Sequence, residues 1–410
     1  MNTELVHADA LDRAAALIAQ GELVAFPTET VYGLGGNALD PAASAKIYAA
    51  KGRPSDNPLI VHVADMAQLW EAAREIPPQA RLLADAFWPG PLTMILWKNA
   101  QVPTETTGGL DTVAVRMPSH PVAQELIQRS GCMIAAPSAN ASGRPSPTEA
   151  AHVMQDLKGR IPMIIDGGTV GIGIESTIID LTEDVPMVLR PGYITREALS
   201  EALGEEVVYD PAILADMQLE QPAGQDIQPQ RAARPESGVF SESGESKQPE
   251  TQIKEADSSK PLRPKAPGMR YRHYAPKAQM LLVSGEPTAV INEINRRIRD
   301  EKDFVRQACG SGISEHAGED HFIGDCGSGI RIAIIASDET CNSYPEADVV
   351  FTIGSRSDED AIARHLYGIL RDCDEAGVDL IYSESFATPR IGQAIMNRML
   401  KAAGHQVIYV

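Results

Sequence analysis

The stretch Thr177-Ile178-Ile179-Asp180-Leu181-Thr182-Glu183-Asp184-Val185-Pro186-Met187-Val188-Leu189 decides the fold. Two apolar runs, Thr177–Leu181 and Met187–Leu189, follow each other across a polar turn that ends in proline and is too short for a helix. Upstream, helix and strand patterns alternate. A helix at Ala10–Gln20 leads into an extended run at Leu23–Phe26, and a helix at Pro41–Ala50 into a strand at Leu59–Val63. Helices at Met66–Arg74 and Pro78–Phe87 precede strands at Leu92–Trp97 and Thr112–Arg116; a helix at Pro121–Arg129 precedes strands near Met133–Ala136 and Pro162–Asp166. A purely parallel sheet needs a crossover between successive strands, so two strands in direct succession break that scheme. The pattern predicts an α/β domain over residues 1–208 with a mixed, twisted sheet flanked by helices.

Residues 209–276 read as a linker. From Met217 to Lys265 the chain is rich in Gln, Pro, Ser and Glu, with Phe240 its only aromatic residue, too little apolar surface to offset chain ordering. The α/β rhythm resumes in residues 277–410, with strands at Met280–Val283, Arg331–Ala336, Val349–Ile353 and Leu380–Tyr382. Ser357 reads as the cap of a helix whose inner face is Ile362, Leu366, Ile369 and Leu370, and Gly404 as the stop of a helix at Ile391–Leu400. A smaller Rossmann-like, three-layer α/β domain is expected, with Cys309–Gly329 as a Gly/Ser-rich loop insertion.

The 410 residues carry a net charge of −20, from 36 Lys+Arg against 56 Asp+Glu, and residues 1–204 alone carry −9. That balance argues against a protein whose main work is gripping nucleic acid backbone. Five cysteines, scattered and never spaced as C-x-x-C, support neither a disulfide framework nor a cysteine-built zinc site. Met1–Gln20 holds Glu4, Asp9, Asp12 and Arg13 and does not read as a signal peptide; no apolar run approaches the roughly 20 residues of a membrane helix. A cytoplasmic protein is expected.

Five clusters bear chemistry. Pro27-Thr28-Glu29-Thr30-Val31-Tyr32-Gly33-Leu34-Gly35-Gly36 follows a strand, reads as a hydroxyl- and glycine-rich loop, and meets a relaxed dinucleotide fingerprint at Gly33, Gly35 and Ala38. Lys51-Gly52-Arg53-Pro54, with Asn57 and Pro58, places two cations in a stiffened loop suited to phosphate. Ala136 to Ser146 offers hydroxyl, amide and backbone donors for phosphate or base. Arg116, Glu175-Ser176-Thr177 and Arg190-Pro191-Gly192 suggest strand-end loops converging on an anionic ligand. Arginines and aromatics then concentrate in Pro267-Gly268-Met269-Arg270-Tyr271-Arg272-His273-Tyr274-Ala275-Pro276. No Walker loop and no G-x-S-x-G elbow occurs. His316, Glu319, Asp320, His321, Asp325 and Cys326 lack a metal-ligand spacing and read as loop, so no metal ligands are assigned.

Taken in order, these segments resemble the YrdC-type threonylcarbamoyl-AMP synthase family in its longer, two-domain form. Lys51-Gly52-Arg53 and Ser138-Ala139-Asn140 match the K-x-R and S-x-N signatures, and the P-T-E-T-x-Y-G-L-G, E-S-T and R-P-G segments match as well. The P-G-M-x-Y-x-H-Y-A-P segment is the mark of the long form. The resemblance implies a YrdC-like catalytic domain that joins L-threonine, bicarbonate and ATP into L-threonylcarbamoyl-adenylate and pyrophosphate. It also implies Mg²⁺ carried on the triphosphate and hand-over to a threonylcarbamoyl transferase complex that modifies adenosine beside the anticodon of tRNA.

By the same resemblance Thr30, His62, Arg116, Ala136 and Ser176 bind threonine, with Arg116 clamping the carboxylate. Arg53, Asn57, Thr112, Ser138, Asn140, Ser146 and Arg190 contact ATP; Lys51 and Arg53 are the catalytic cations, Lys51 facing the phosphates. Such chemistry rests on positioning and charge neutralisation rather than on a nucleophile–base pair. Tyr271, His273 and Tyr274 are expected to lie over the cleft as a lid that shelters the carbamate and the mixed anhydride from water. Two other classes are weighed against this: an RNA-binding module that holds nucleotide without synthase activity, with a weak tRNA contact, and a carbamoyl-transfer domain of hydrogenase maturation, whose cysteine repeats are missing here.

Overall fold

The computed structural model describes residues 1–218, 265–267, 274–311 and 329–410. Most of the low-complexity stretch, Tyr271 and His273 of the expected lid, and the His316–Cys326 cluster lie outside them.

The first sheet has eleven strands: β1 (Glu4–Val6), β2 (Val24–Phe26), β3 (Gly33–Asn37), β4 (Ile60–His62), β5 (Leu92–Trp97), β6 (Thr112–Arg116), β7 (Ile134–Ala135), β8 (Met163–Ile165), β9 (Thr177–Asp180), β10 (Met187–Arg190) and β11 (Val208–Tyr209). Their spatial order is β1-β8-β2-β3-β7-β4-β6-β5-β9-β10-β11. The sheet is mixed as expected: β4 and β6 run parallel, β5 and β6 antiparallel, and β9 and β10 form the antiparallel pair announced by Thr177–Leu189. Alternation along β2 sends Val24 and Phe26 to one face and Ala25 to the other. The first face is covered by α1 (Leu11–Ala19) and, further along the chain, α5 (Pro121–Ser130), through Leu11, Ile18, Leu126 and Ile127. The second face holds the larger core, where α2 (Pro41–Lys51), α3 (Met66–Ala72), α4 (Pro78–Phe87), α6 (Ala150–Leu157) and α7 (Arg196–Leu203) bring Ile47, Leu69, Leu83, Val153 and Leu199 onto Leu34, Val61, Met94 and Val115. Fully burying each such aliphatic side chain contributes about 1.5–3 kcal/mol.

One expectation is corrected here. The glycines of Gly33–Gly36 are not a loop; they lie in β3, which pairs antiparallel with β2 and β7, although Gly33 borders the cleft described below. A Cβ on Gly35 would stand 2.7 Å from both Ile134 Cγ2 and Phe26 Cε1, so the absent side chain lets packed layers close over the strand.

The second sheet is wholly parallel, in the order β14-β13-β15-β12-β16, with β12 (Gln279–Ser284), β13 (Ile332–Ala336), β14 (Val349–Thr352), β15 (Leu380–Glu384) and β16 (Val407–Tyr409). Between the two sheets α8 (Pro211–Gln218) continues the chain past β11. The helix α9 (Pro287–Ser311) covers one face through Val290, Ile294, Ile298 and Val305, while α10 (Glu359–Ala376) and α11 (Gly392–Ala402) cover the other. This is the expected three-layer, Rossmann-like arrangement. The cap of α10 is Asp358, which accepts from the Ala361 amide, rather than Ser357. The first residues of the supposed Cys309–Gly329 loop continue α9 to Ser311.

The two sheets share a core. Val31 and Ile174 from the first unit pack in the same cluster as Ile362, Leu366 and Tyr367 of α10. At Gly173 (φ +90°) the backbones approach so closely that a Cβ would fall 2.4 Å from the Arg364 Cα. The helix α10 therefore lies directly on the loop leading into β9.

Candidate functional site

Strand register assembles the site. In the parallel β4/β6 pair, His62 stands opposite Arg116, and in the antiparallel β5/β6 pair Arg116 stands opposite Thr93. Thr93 Oγ1 lies 2.8 Å from Ser176 Oγ, so the last residue of β4, the last of β6 and the residue preceding β9 meet at one end of the sheet. Asp40 caps α2, Pro41 opens it and Gly52 (φ +64°) closes it in the left-handed conformation, which delivers Lys51 and Arg53 to the same place. Ala136 is tied in by its amide to the Ile60 carbonyl, 2.8 Å, and the loop after it follows.

The result is a cleft lined by Thr30, Lys51, Arg53, His62, Arg116, Ala136, Ser138, Asn140, Ser176 and Arg190, among others, with Tyr274 at its wall. Five cationic side chains (Lys51, Arg53, Arg116, Arg144, Arg190) and one carboxylate (Glu175) line it, which suits a polyanion. Arg53 Nε and Asn57 Oδ1 are buried without a hydrogen-bond partner among the described residues. Unpaired buried polar atoms are costly, and of these two only Arg53 lines the cleft, where a polar ligand would relieve it.

Three residues expected at the site do not line the cleft. Asn57 stands behind the K-x-R loop, its carbonyl accepting from Tyr48 and Arg53. Ser146 donates to Glu175 Oε1 at 2.6 Å and so acts on the lining from behind. Thr112 opens β6 four residues before Arg116, about 13 Å away at the strand rise.

Lys51 also behaves differently from a free phosphate partner. Its ammonium donates to the carbonyls of Ser138 and Asn140 and to Asn140 Oδ1 (3.3 Å), so all three donor positions are spent on the S-x-N loop. Burial, with the Arg53 charge beside it, pushes its pKa well down from the ordinary lysine value. Arg53 donates to the Pro58 carbonyl at 3.1 Å, and burial lowers it to about 10, which leaves it charged at neutral pH.

Arg116 is only 4% exposed. It donates through NH1 to Thr30 Oγ1 (2.9 Å), through NH2 to Glu29 Oε1 (2.6 Å) and through Nε to the Gly90 carbonyl (3.3 Å). Burial works to raise the Glu29 carboxyl, but the Arg116 charge and hydrogen bond overcome it, so Glu29 stays ionised. Glu29 was not read from the sequence as a site residue; its place between the hydroxyl residues Thr28 and Thr30 was the available signal.

His62 is neutral. Burial first, then the Arg116 cation, lowers its pKa to about 3, and Glu29 offsets this only in part. The KM for the ligand held at Arg116 should therefore follow the same pH profile between pH 5.5 and 8 in wild type and in His62→Gln. An inflection near pH 6.5 that disappears in the variant would refute a neutral His62. The sign for stability is the reverse of a histidine that gains a partner. The unfolded imidazole binds the proton more readily, so stability declines as pH falls below about 6.5 and levels off near the folded value of about 3.

Glu175 is the junction with the second unit. It accepts from Ser146 Oγ, from the Tyr367 hydroxyl (2.8 Å) and from Arg398 Nε (3.0 Å). Burial raises it, yet Arg398, Arg190 and the two hydroxyls together lower its pKa to about 2. Tyr274, buried and at φ +64°, stacks on Tyr367 with ring centroids 5.2 Å apart, so the described end of the expected lid does reach the cleft. The residues from α10 and α11 were missed from the sequence. Their signal was charge at core spacing: Arg371 and Arg398 are 1% and 0% exposed among apolar neighbours.

Residues 16–192 match the profile of the Sua5/YciO/YrdC family, described as telomere recombination, and residues 194–404 match that of the threonylcarbamoyl-AMP synthase C-terminal domain. A threonylcarbamoyl-AMP synthase of Pyrococcus abyssi is 43% identical over 397 residues, covering 97% of this chain and 95% of the relative. The Bacillus subtilis threonylcarbamoyl-AMP synthase is 41% identical, covering 97% and 93%. The crystal structure of P. abyssi Sua5 complexed with L-threonine superposes with a TM-score of 0.75 at 39% identity, covering the whole of both chains.

Proposed function

The chain belongs to the threonylcarbamoyl-AMP synthase family in its two-domain form, and on that premise we propose that its cleft converts L-threonine, bicarbonate and ATP into L-threonylcarbamoyl-adenylate and pyrophosphate. The observation that carries this reading is the convergence of Arg53, Arg116, Ser138, Ser176 and Arg190 on one strongly cationic cleft. Threonine's amine takes up carbon dioxide from bicarbonate as a carbamate, with loss of one water overall. A carbamate oxygen then attacks the α-phosphorus as the bond to pyrophosphate breaks.

The protein's part is to place the reactants and to balance charge. Arg116, held in orientation by Glu29 and Thr30, receives the amino acid carboxylate, and Ser176 faces its amine or hydroxyl. Arg53 and Arg190 meet the nucleotide, with Ser138 and Asn140 presented by a loop that Lys51 ties down. Magnesium would enter on the triphosphate, as part of the substrate. Residues 1–208 form the catalytic domain and 277–410 the second domain, and Tyr274 is the described part of a lid. The product is a mixed anhydride that water destroys, so a separate transferase is the natural next step, with tRNA its final acceptor. No helix among the described residues is long and apolar enough to cross a membrane. The charge of −9 over residues 1–204 disfavours a module that works by binding RNA.

The test is pyrophosphate release with ATP, magnesium and bicarbonate, comparing L-threonine, L-serine and L-valine. Release that needs both threonine and bicarbonate is expected. Valine, nearly the same shape without the hydroxyl, should fall by about 10² or more in kcat/KM where a buried site hydrogen-bonds that hydroxyl. Equal release with valine, or without bicarbonate, would sink the reading.

A further inference from the structure

The second domain reaches the cleft through one side chain that bonds two of its loops at once. Arg398, on α11, is fully buried. Its Nε donates to Glu175 Oε2 at 3.0 Å and its NH1 to the Pro191 carbonyl at 2.6 Å. Glu175 immediately precedes Ser176, and Pro191 immediately follows Arg190. The two loops already touch backbone to backbone: a Cβ on Gly192 would lie 2.4 Å from the Thr177 nitrogen and 2.8 Å from the Glu175 oxygen. Arg190 in turn grips Ser176, through Nε to its carbonyl and NH2 to its hydroxyl, each at 3.0 Å. Tyr367, on α10, adds a second donor to Glu175 Oε2 at 2.8 Å.

We propose that Arg398, seconded by Tyr367, is a positioning residue of the synthase: from the second domain it neutralises Glu175 and so keeps Arg190 and Ser176 turned to the substrates. This deepens the synthase reading and rests on it. Glu175 is a buried carboxylate with two arginines in its field, Arg398 in direct contact and Arg190 nearby. A buried carboxylate that loses its ion-pair partner recruits the nearest other cation. Without Arg398 that cation is Arg190, which would be drawn away from Ser176 and from the nucleotide. Arg398 does not line the cleft; its hydrogen bonds reach it through Glu175 and Pro191, and its charge is also felt by Arg190. The second domain thereby becomes part of the active site's electrostatics without supplying an atom to the reaction.

The experiment uses the full chain and compares wild type, Arg398→Met, Tyr367→Phe, Glu175→Gln and the Arg398→Met/Glu175→Gln double variant. KM for ATP and for threonine and kcat come from pyrophosphate release, and ATP affinity comes from equilibrium binding. Arg398→Met should raise both KM values about tenfold, with kcat within about threefold, because placement of the ligands is lost and not the chemistry. Tyr367→Phe, which keeps the ring stacked on Tyr274, should raise them about threefold, the loss of one hydrogen bond to a charged group partly covered by Arg398. Adding Glu175→Gln to Arg398→Met should recover most of the ATP affinity, since the uncompensated charge that pulls Arg190 is gone. A merely structural arginine would not show that recovery.

KM values within twofold of wild type in Arg398→Met overturn the proposal, and so does a double variant no better than Arg398→Met. Should Arg398→Met fail to fold, Tyr367→Phe decides, and unchanged KM values there overturn it. Wild-type protein that releases no pyrophosphate with threonine and bicarbonate refutes the synthase reading instead. ATP binding across the same variants then still judges the coupling between Arg398 and Arg190.

Discussion

Lys51→Met should lower kcat/KM for ATP by about 10²–10³, and Lys51→Arg should not restore it. Lys51 donates to two carbonyls and one side-chain amide oxygen of the S-x-N loop, all within its reach from the last turn of α2. Hydrogen bonds from a charged donor contribute about 1.5–3 kcal/mol each, and buried acceptors left unmet cost about 1–3 kcal/mol. A loss of about 3–4 kcal/mol in loop placement corresponds to two to three powers of ten in rate. The arginine control separates two roles. A lysine that met phosphate as a point charge would be replaced tolerably by another cation. Three acceptors converging on a single nitrogen cannot be served by a planar guanidinium fork, whose donors diverge. Steady-state kinetics of both variants, with near-UV circular dichroism to confirm folding, provide the check. Recovery in Lys51→Arg to within tenfold of wild type would return Lys51 to the phosphates.

What was legible in the sequence follows from what each signal rests on. The Thr177–Leu189 succession gave the mixed sheet, because an antiparallel pair needs only a short turn and a parallel one does not. Arg116 at a strand end and Lys51–Arg53 at a helix end became site candidates through the order of several matching motifs, since each alone could equally serve a surface salt bridge or a helix terminus. Gly33–Gly36 misled for a related reason. Glycines serve a phosphate loop and a closely packed strand equally, and only the neighbours Phe26 and Ile134 distinguish them. The strands β1 and β16 are three residues long at sheet edges, too short for a period-2 pattern. In α9 the apolar spacing of Val290, Ile294 and Ile298 is present, but seven charged residues between Arg296 and Asp303 obscure it. The contribution of the second domain left only a faint signal, arginines at core spacing in α10 and α11. A buried arginine looks in sequence like a surface one, and the acids that hold Arg371 and Arg398 lie more than 200 residues earlier.

Arg371→Met should cost about 3 kcal/mol of stability and weaken ATP binding at the same time. Arg371, on α10, is 1% exposed and donates through NH2 to Asp156 Oδ2 at 2.9 Å and to the Pro145 carbonyl at 2.5 Å, and through NH1 to Asp156 Oδ1 at 3.3 Å. Asp156, on α6, also receives Arg144 and the Ala141 amide at 3.1 Å. Arg144 returns to α10 at Asp374, 3.2 Å away. The loop from Ser138 to Ser146, which supplies Ser138, Asn140 and Arg144 to the cleft, is thus closed by a ring of charges spanning both domains. Breaking one partner of a buried pair typically costs about 3–5 kcal/mol, and the remaining contacts of Asp156 place this case at the lower end. Urea unfolding should show a lower midpoint with the slope unchanged, as expected when stability falls without a change in the surface exposed. Asp156→Asn combined with Arg371→Met should cost clearly less than the two separate losses added together, because the residues act on each other directly. Additive losses would mean that Arg371 stabilises only its own domain. A stability loss with ATP affinity unchanged would mean that the ring holds the domains together but leaves the loop to Lys51.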